Sequence, residues 1–280
     1  IDWKINYREI PLREDGIVDI DSFERYITKN TKIAFIQRSR GYFWRKSLTV
    51  DDISIIVKKL KEIKNDIIIL VDNCYGEFTD KKEPLDVGAD IIAGSLIKNP
   101  GGGICPTGGY IAGREDLVEL AAGRLTAPGI GSEVGTSMYI NRTLYQGLYL
   151  APLLVSQALC GMIWAGTMFE HLNYITLPVK GEKRGDTVQA VKLGSKEKLI
   201  KFCQGIQSSS PVDSHVNLEG GYTPGYSDKI VMAAGTFIQG ASLELSADGP
   251  LREPFIAYLQ GGLSYFHIKY AVLRALEAME

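Results

Sequence analysis

Two short stretches place reactive side chains directly after apolar runs. Asp72 and Tyr75 follow the mostly apolar residues 66–71, and Ser95 and Lys98 follow the mostly apolar residues 89–93. A lysine beside an apolar segment is partly desolvated, which favours its neutral, nucleophilic form and suits a Schiff base with a carbonyl group. A carboxylate on the neighbouring segment could hold a cofactor's pyridine nitrogen protonated and so make its ring an electron sink.

Each of these side chains also has a purely structural interpretation. Lys98 could extend from a surface loop, Asp72 and Ser95 could cap turns, and Tyr75 could be a half-buried aromatic residue at a domain edge. Glycines 101–103 permit a tight turn or a close backbone approach, but alone they are weak evidence for phosphate binding. The chemical interpretation therefore depends on whether these residues meet in space.

The surrounding elements predict that they do. Residues 31–39, 66–72 and 89–94 have the composition of buried strands, and residues 52–64 have helical apolar spacing after a capping-box-like start at Thr49 and Asp52. Strands that alternate with helices indicate parallel β-α-β units. Because ligands bind beyond the carboxyl ends of the strands in an open parallel sheet, these side chains should converge on one crevice.

The remainder of the chain predicts a second domain. Residues 137–171 should form one or two buried helices, too interrupted for a membrane span, and residues 177–187 have linker composition. A helix at 195–206, a strand at 229–237 and a helix at 263–279 should follow. The predicted fold is α/β, with a large domain over 1–170 that has a mostly parallel sheet and a smaller α+β domain over 171–280.

Bulk composition excludes several classes of function. The 280 residues are 45% hydrophobic with a net charge of -2, and neither sign of charge forms a long block, so we expect no nucleic-acid or membrane partner. The four cysteines form no C-x-x-C pair, which favours the cytoplasm, and the three histidines lack ligand spacing, so no metal is expected. The first residues resemble no signal peptide and lack an initiating methionine; we expect the natural protein to extend further toward the N-terminus.

Longer motifs resemble a known family. The Asp-x-x-Tyr and Ser-x-x-Lys pattern resembles pyridoxal 5'-phosphate (PLP) enzymes of fold type I, the aspartate aminotransferase fold. The chain is more narrowly similar to the methionine gamma-lyase-like aluminium resistance proteins, described as cystathionine beta- or gamma-lyases. The motifs that carry this resemblance, which covers nearly the whole chain, are IQRSRGY, VDNCYGEF, GSLIKNPGGG, TGGYIAGR and GTFIQGASLELSADGP.

The resemblance implies a role for each candidate. Lys98 would form the Schiff base with PLP, Asp72 would contact the pyridinium nitrogen, Tyr75 would lie near the ring oxygen, and Ser95 would bind the phosphate. Ile97 stands where related enzymes often have a threonine that also binds the phosphate. The family also has a preceding N-terminal region that supplies the phosphate cradle and an aromatic residue stacked on the cofactor ring.

Three arginines are candidates for the remaining contacts. Arg252 could bind the substrate carboxylate, because a guanidinium group matches two oxygens, or it could form a surface ion pair with Asp248 or Glu253. Arg38 and Arg40 are alternatives, with Arg38 the candidate for a cofactor contact and Arg40 for a substrate contact.

The leading functional hypothesis is a PLP-dependent carbon–sulfur lyase that acts on a sulfur-containing amino acid. An aminotransferase would use the same residues, and a non-catalytic protein that has kept the fold is a further alternative. Cys74, beside Asp72, could be a nucleophile but is better interpreted as a small buried residue. The resemblance also implies a homodimer or homotetramer with sites at subunit boundaries.

Overall fold

The computed structural model describes residues 4–127, 129–135, 137 and 139–280, and within them the strands form two sheets. In the first sheet, β1 (Ile33–Gln37), β2 (Ile68–Asp72) and β3 (Ile91–Ser95) are parallel, as predicted, and β4 (Gly109–Gly113) adds an antiparallel edge that was not predicted. The helices of this half are α1 (Phe23–Tyr26), α2 (Val50–Ile63) and α3 (Glu115–Leu125).

Helix α2 shows why the first sheet forms where it does. Its Thr49 cap accepts from Asp52 N at 3.2 Å, while Asp52 Oδ2 accepts from Thr49 N at 2.8 Å, so the predicted capping box is confirmed. One face of α2 is buried against residues of β1, β2 and β3, including Ile36, Ile69 and Ile92. Burial of that face holds the parallel strands in one layer.

The second sheet is antiparallel and has the order β5-β6-β9-β8-β7. Helices α5 (Lys196–Ser208) and α6 (Tyr265–Met279) were both predicted and pack on one of its faces with a large apolar core. Its strands are β5 (Ile175–Leu177), β6 (Val188–Lys192), β7 (Ile230–Ala233), β8 (Ser246–Pro250) and β9 (Ile256–Gln260). Only β7 lies in a predicted strand, and it ends four residues earlier than expected.

A single long helix, α4 (Asn141–His171), joins the two halves. Pro152 lies inside this helix and does not divide it. The prediction that this segment is too interrupted for a membrane span is therefore wrong, because the helix is continuous. Among the described residues, α4 has the length and apolar composition of a membrane-crossing helix, with a mean hydropathy of 1.6, a test that core helices also pass. It packs against α6 and β6 on one side, whereas Tyr149 and Leu153 are exposed on the other, so the helix is only half-buried.

The segment 177–187 has the composition of a linker, but its last three residues are buried. Asp186 and Thr187 are fully buried, and Thr187 N donates to Tyr75 O at 3.2 Å. Lys183 Nζ donates to Asp51 Oδ2 of helix α2 at 2.7 Å. The charged residues of this segment therefore connect the two halves, and a composition-based prediction misses this because it does not see the partners.

Candidate active site

The structure brings the two reactive stretches to neighbouring strand ends. Asp72 is the last residue of β2 and is paired in register with Ala93 of β3; Ser95 lies two residues further along β3 and so faces the same side. Lys98 follows within one turn, where its backbone N–H donates to Ser95 O at 3.2 Å. The predicted convergence of strand ends is therefore present in the fold.

The Lys98 side chain is partly buried and has no acidic partner among the described residues. Its Nζ lies 5.1 Å from the centre of the Tyr75 ring. Within the described part of the chain, neither this amine nor the Ser95 hydroxyl makes a hydrogen bond or an ion pair with another side chain. Both groups therefore remain available to a ligand.

Tyr75 is held in an unusual backbone conformation. Its φ of 70° lies in the left-handed region, which is uncommon for a residue with a side chain. Asn99 Nδ2 donates to Tyr75 O at 3.0 Å and also to Glu77 O at 3.0 Å, so a buried amide locks the Tyr75 turn to the Lys98 loop. Asn99 was not among the predicted site residues, although its position directly after Lys98 was a usable signal.

The burial of Cys74 and its position beside Asp72 argue against a reactive Cys74 thiol. Asp72 Oδ1 accepts from Cys74 N at 3.1 Å, a turn cap of the kind considered from the sequence. Burial, assisted by the Asp72 charge, raises the pKa of Cys74 to about 12. The thiol is therefore protonated at neutral pH, consistent with Cys74 as a packing residue rather than a nucleophile.

Arg38 is committed to the protein interior, which argues against the predicted cofactor contact. It is 1% exposed, and each guanidinium nitrogen already has a protein partner. A Cβ added to Gly76 would lie 2.4 Å from the guanidinium carbon, so no space remains on that side. Those partners are Leu48 O at 3.2 Å, Asn73 Oδ1 at 2.7 Å, Thr79 Oγ1 at 3.2 Å and Glu83 Oε2 at 3.4 Å.

Arg40 is also 1% exposed but is only partly satisfied. Its Nη1 donates to Leu177 O at 2.8 Å, and its Nη2 lies 3.7 Å from Asp186 Oδ1. Among the described residues, Nε and Nη2 of Arg40 have no hydrogen-bond partner, and neither has the buried hydroxyl of Tyr258. Because buried polar atoms are usually paired, these orphaned donors indicate a place for a polar ligand or water.

Arg252 lies at the surface instead. Its Nη1 donates to Asp228 Oδ2 at 2.8 Å and its Nη2 to Tyr42 O at 3.2 Å, and its side chain is 45% exposed. The ion pair that the sequence allowed is thus present, but with Asp228 as the partner rather than Asp248 or Glu253. The role of Arg252 in binding a substrate carboxylate stays a prediction.

The second sheet turns a polar face toward this region, which was not predicted from the sequence. Asp248 pairs with Tyr258 in register, and Gln260 is two residues further on the same face. Tyr42 OH donates to Asp248 Oδ2 at 2.9 Å, and burial raises the pKa of Asp248 to about 7. Burial and the Asp248 charge together raise the pKa of Tyr75, an effect that the nearby Gln260 side chain opposes. The alternation of polar and small residues in ELSADGP was the available signal.

The glycine run after Lys98 serves packing. Gly102 has a φ of +55°, and a Cβ there would lie 2.3 Å from Gly147 O of helix α4. The run therefore allows the Lys98 loop to approach a helix backbone closely, which is the structural alternative considered from the sequence. Among the described residues, no group of three or more His, Cys, Asp or Glu side chains could hold a metal ion.

Comparison with known proteins places this geometry in a family. A family model described as methionine gamma-lyase matches residues 1–280. The chain belongs to the methionine gamma-lyase family. The Bacillus subtilis (strain 168) protein YnbB is 48% identical over 278 residues, which are 99% of this chain and 66% of that protein.

Two solved structures of this family share the fold closely. One is the Listeria monocytogenes "putative cystathionine beta-lyase involved in aluminum resistance", with a TM-score of 0.96 and 51% identity over 100% of this chain and 69% of that one. The other is the Clostridium novyi carbon-sulfur lyase involved in aluminum resistance, with a TM-score of 0.93 and 49% identity over 100% and 65% of the respective chains. The chain thus spans about two thirds of the length of these relatives.

Members of the methionine gamma-lyase family are PLP enzymes, and the donor set at the strand ends fits that cofactor. PLP requires an amine for its aldehyde, an anion for its ring nitrogen and hydrogen-bond donors for its phosphate. Lys98, Asp72 and Ser95 offer these three groups on adjacent strand ends, and the amine and hydroxyl have no competing side-chain partner among the described residues.

Proposed function

We propose that this chain carries the lysine-bearing site of a PLP-dependent carbon–sulfur lyase that acts on a sulfur-containing amino acid. The observation that carries the proposal is the register of β2 and β3, which brings Asp72 and the Lys98 loop to one edge with the lysine amine unpaired. Family membership supports a lyase, and the names of the Listeria and Clostridium relatives support cleavage of a carbon–sulfur bond.

PLP, when bound, supplies an electron sink for negative charge at the α-carbon of an amino acid. In this proposal Asp72 presents the anion that keeps the ring nitrogen protonated, and Ser95 donates to the phosphate. The Lys98 amine would hold the cofactor, and the free amine would take the proton from the substrate α-carbon. Tyr75 covers the lysine with its ring, which limits the access of water to the amine.

The proposal assigns the substrate carboxylate to Arg40 in preference to Arg252. The buried Arg40 is in an ion pair with Asp186, but its Nε and Nη2 have no hydrogen-bond partner among the described residues and can bind both oxygens of a carboxylate. The half-exposed Arg252 already donates to Asp228 and to Tyr42 O. A series of interactions relates Arg40 to the lysine site. The Arg40 charge opposes the rise in the pKa of Tyr258, whose ring lies 5.4 Å from the Tyr42 ring. Tyr42 in turn donates to Asp248, whose charge acts on Tyr75.

Borohydride trapping tests the function directly. The protein is incubated with PLP, reduced with borohydride and digested, and the modified peptide is located by mass spectrometry. We expect the adduct on Lys98 and none in a Lys98→Ala variant; an adduct elsewhere in the wild type would contradict the assignment. Thiol release from sulfur amino acids then supports the lyase, whereas keto-acid-dependent formation of a new amino acid without thiol release would favour an aminotransferase.

The proposal extends to assembly and location. The exposed apolar side chains of α4 repeat at helical spacing and offer a face for a second copy of the chain, which supports a homodimer or homotetramer. All four cysteines are free thiols, which supports a reducing, cytoplasmic location. Two exposed residues of this face are Tyr149 and Leu153.

A further inference from the structure

A cavity of about 430 Å³ lies on the side of the first sheet that faces away from Asp72 and Ser95. Gly94 and Tyr110 are paired in register and both face this side, as does Ile92 two residues earlier on β3. A Cβ added to Gly94 would lie 2.4 Å from Glu77 Oε1 and 2.5 Å from the Tyr110 ring. Glu77 and Tyr110 can therefore pack here only because residue 94 is a glycine. The cavity is therefore separated by the sheet from the lysine site.

The walls of the cavity are mainly apolar. Leu96 and Ile92 line it from the sheet side, and Leu144 and Leu148 of helix α4 line it from the other. Its volume falls within the range of natural sites for small molecules. The chemistry of its few polar groups therefore decides which kind of ligand it suits.

Glu77 is the polar group that lacks a partner. The side chain is 3% exposed, and its Oε1 accepts from Tyr110 OH at 2.9 Å. Its Oε2 is buried and has no hydrogen-bond partner within the described ranges. A buried carboxyl oxygen without a partner costs free energy, and a donor on a bound molecule would recover it.

The charges around the cavity favour a cation. Its second carboxylate, Glu83, is already compensated, because Arg38 Nη1 lies 3.4 Å from Glu83 Oε2 and Asn73 Nδ2 donates to the same oxygen at 3.0 Å. The lining residues that the structure describes include two glutamates but no lysine, arginine or histidine. Glu77 is therefore a buried acid without an ion-pair partner, next to aromatic and aliphatic walls.

We propose that this cavity binds a small hydrophobic ammonium ion, with the ammonium group on Glu77 Oε2 and the hydrocarbon part against the leucines of α4. An amino acid is excluded in this proposal, because its carboxylate would lie among acidic groups with no cation to receive it. The site is thus distinct in chemistry and position from the one proposed for the lyase substrate, and it does not depend on that function.

Titration of Glu77 gives the site a measurable signature. Burial raises the pKa of Glu77 to about 8, against the opposing effects of the Tyr110 hydrogen bond and the Arg38 charge. The Glu83 charge raises this pKa further, and Glu77 in turn contributes to the raised pKa of Cys74. The Glu77 carboxyl group is therefore mostly protonated at neutral pH. An ammonium ion must displace this proton to form an ion pair with Glu77.

Calorimetric titration with phenethylamine tests the site, with phenylalanine and phenethyl alcohol as probes of the same shape. We expect the amine to bind roughly 20-fold more tightly at about pH 8.5 than at about pH 6.5, with release of about one proton below pH 8, because ionised Glu77 becomes more abundant over that range. Phenylalanine should not bind in the cavity, and the neutral alcohol should show no such pH dependence.

Three variants test the contribution of individual side chains to this site. Glu77→Gln should weaken amine binding at least about 10-fold and abolish proton release, whereas Glu62→Gln, on the exposed side of α2, should change neither. Leu148→Trp, at the rim of the cavity, should block binding without touching Glu77, which keeps the test valid if Glu77→Gln fails to fold. Lys98→Ala should bind the amine normally, so loss of lyase activity leaves this proposal standing. Equal binding of phenylalanine, or unchanged binding by both Glu77→Gln and Leu148→Trp, would overturn it.

Discussion

Asn99 Nδ2 donates to the backbone carbonyl of Tyr75 at 3.0 Å and thereby joins the two strand ends that carry the candidate chemistry. The same amide nitrogen donates to Glu77 O at 3.0 Å, and Asn99 is 1% exposed. One side chain thus holds the backbone of two residues. The first is Tyr75, whose ring lies beside the Lys98 amine, and the second is Glu77, which lines the cavity proposed to bind an ammonium ion.

Removal of this amide should destabilise the fold. Asn99→Ala leaves Glu77 O without a donor and Tyr75 O with only the Thr187 N–H, so we expect the free energy of unfolding to fall by about 1 to 3 kcal/mol. Denaturant titration followed by circular dichroism measures the change, and Asn65→Ala, at an exposed turn, is the control. A loss below about 0.5 kcal/mol would show that Glu77 O finds another donor.

Asp72→Asn should separate cofactor attachment from turnover. The amide keeps the size of the side chain but has no negative charge to hold the ring nitrogen protonated, so we expect kcat to fall roughly 100-fold or more. Borohydride should still trap the cofactor on Lys98, because the lysine is unchanged. Near-normal kcat in Asp72→Asn would remove Asp72 from the site.

The two arginine assignments predict opposite outcomes for a matched pair of substitutions. Arg40→Lys loses the planar pair of donors, so we expect KM for the amino acid to rise about 10-fold or more with little effect on borohydride trapping. Arg252→Lys should change KM less than about twofold, since the side chain lies in a surface ion pair. A rise in KM confined to Arg252→Lys would transfer the carboxylate contact to that residue.

Asp248 should make stability depend on pH. Its pKa of about 7 in the folded protein lies above the ordinary value of 3.8, so the cost of a buried carboxylate accumulates as pH rises between these values and is complete above about pH 7. Asp248→Asn removes this cost and should stabilise the fold by up to about 4 kcal/mol above pH 7, with no gain near pH 4. Thermal unfolding across this pH range checks the trend, and the exposed Asp21→Asn should show none of it.

The apolar face of α4 predicts how assembly can be disrupted. Leu153→Glu places a charge on an exposed apolar position, so we expect a shift toward the monomer if a second copy covers that face. Gln146→Glu adds the same charge at an exposed polar position of this helix and should leave the mass unchanged. Light scattering after size-exclusion chromatography distinguishes the two, and an unaltered mass for Leu153→Glu would place the interface elsewhere.

The sequence by itself was sufficient to predict the parallel strands and the protein family. Apolar runs that end in Asp72 and Ser95 located β2 and β3 to within two residues, because a strand buried on both faces must be apolar along its length. The Thr49 and Asp52 cap fixed the start of α2 from local chemistry. The motif pattern around Lys98 indicated the methionine gamma-lyase family, to which the chain belongs.

Tertiary structure alone decided which polar side chains are free and which are committed. Arg38 and Arg40 are two residues apart in the same motif, yet one has a partner at each guanidinium nitrogen and the other retains orphaned donors, because their partners lie in segments distant in sequence. The short strands β6, β8 and β9 and the polar face that carries Asp248 also escaped prediction, since antiparallel pairing is set by non-local contacts. Local sequence specifies which groups are present, and the packing of remote segments determines which of them are available to a ligand.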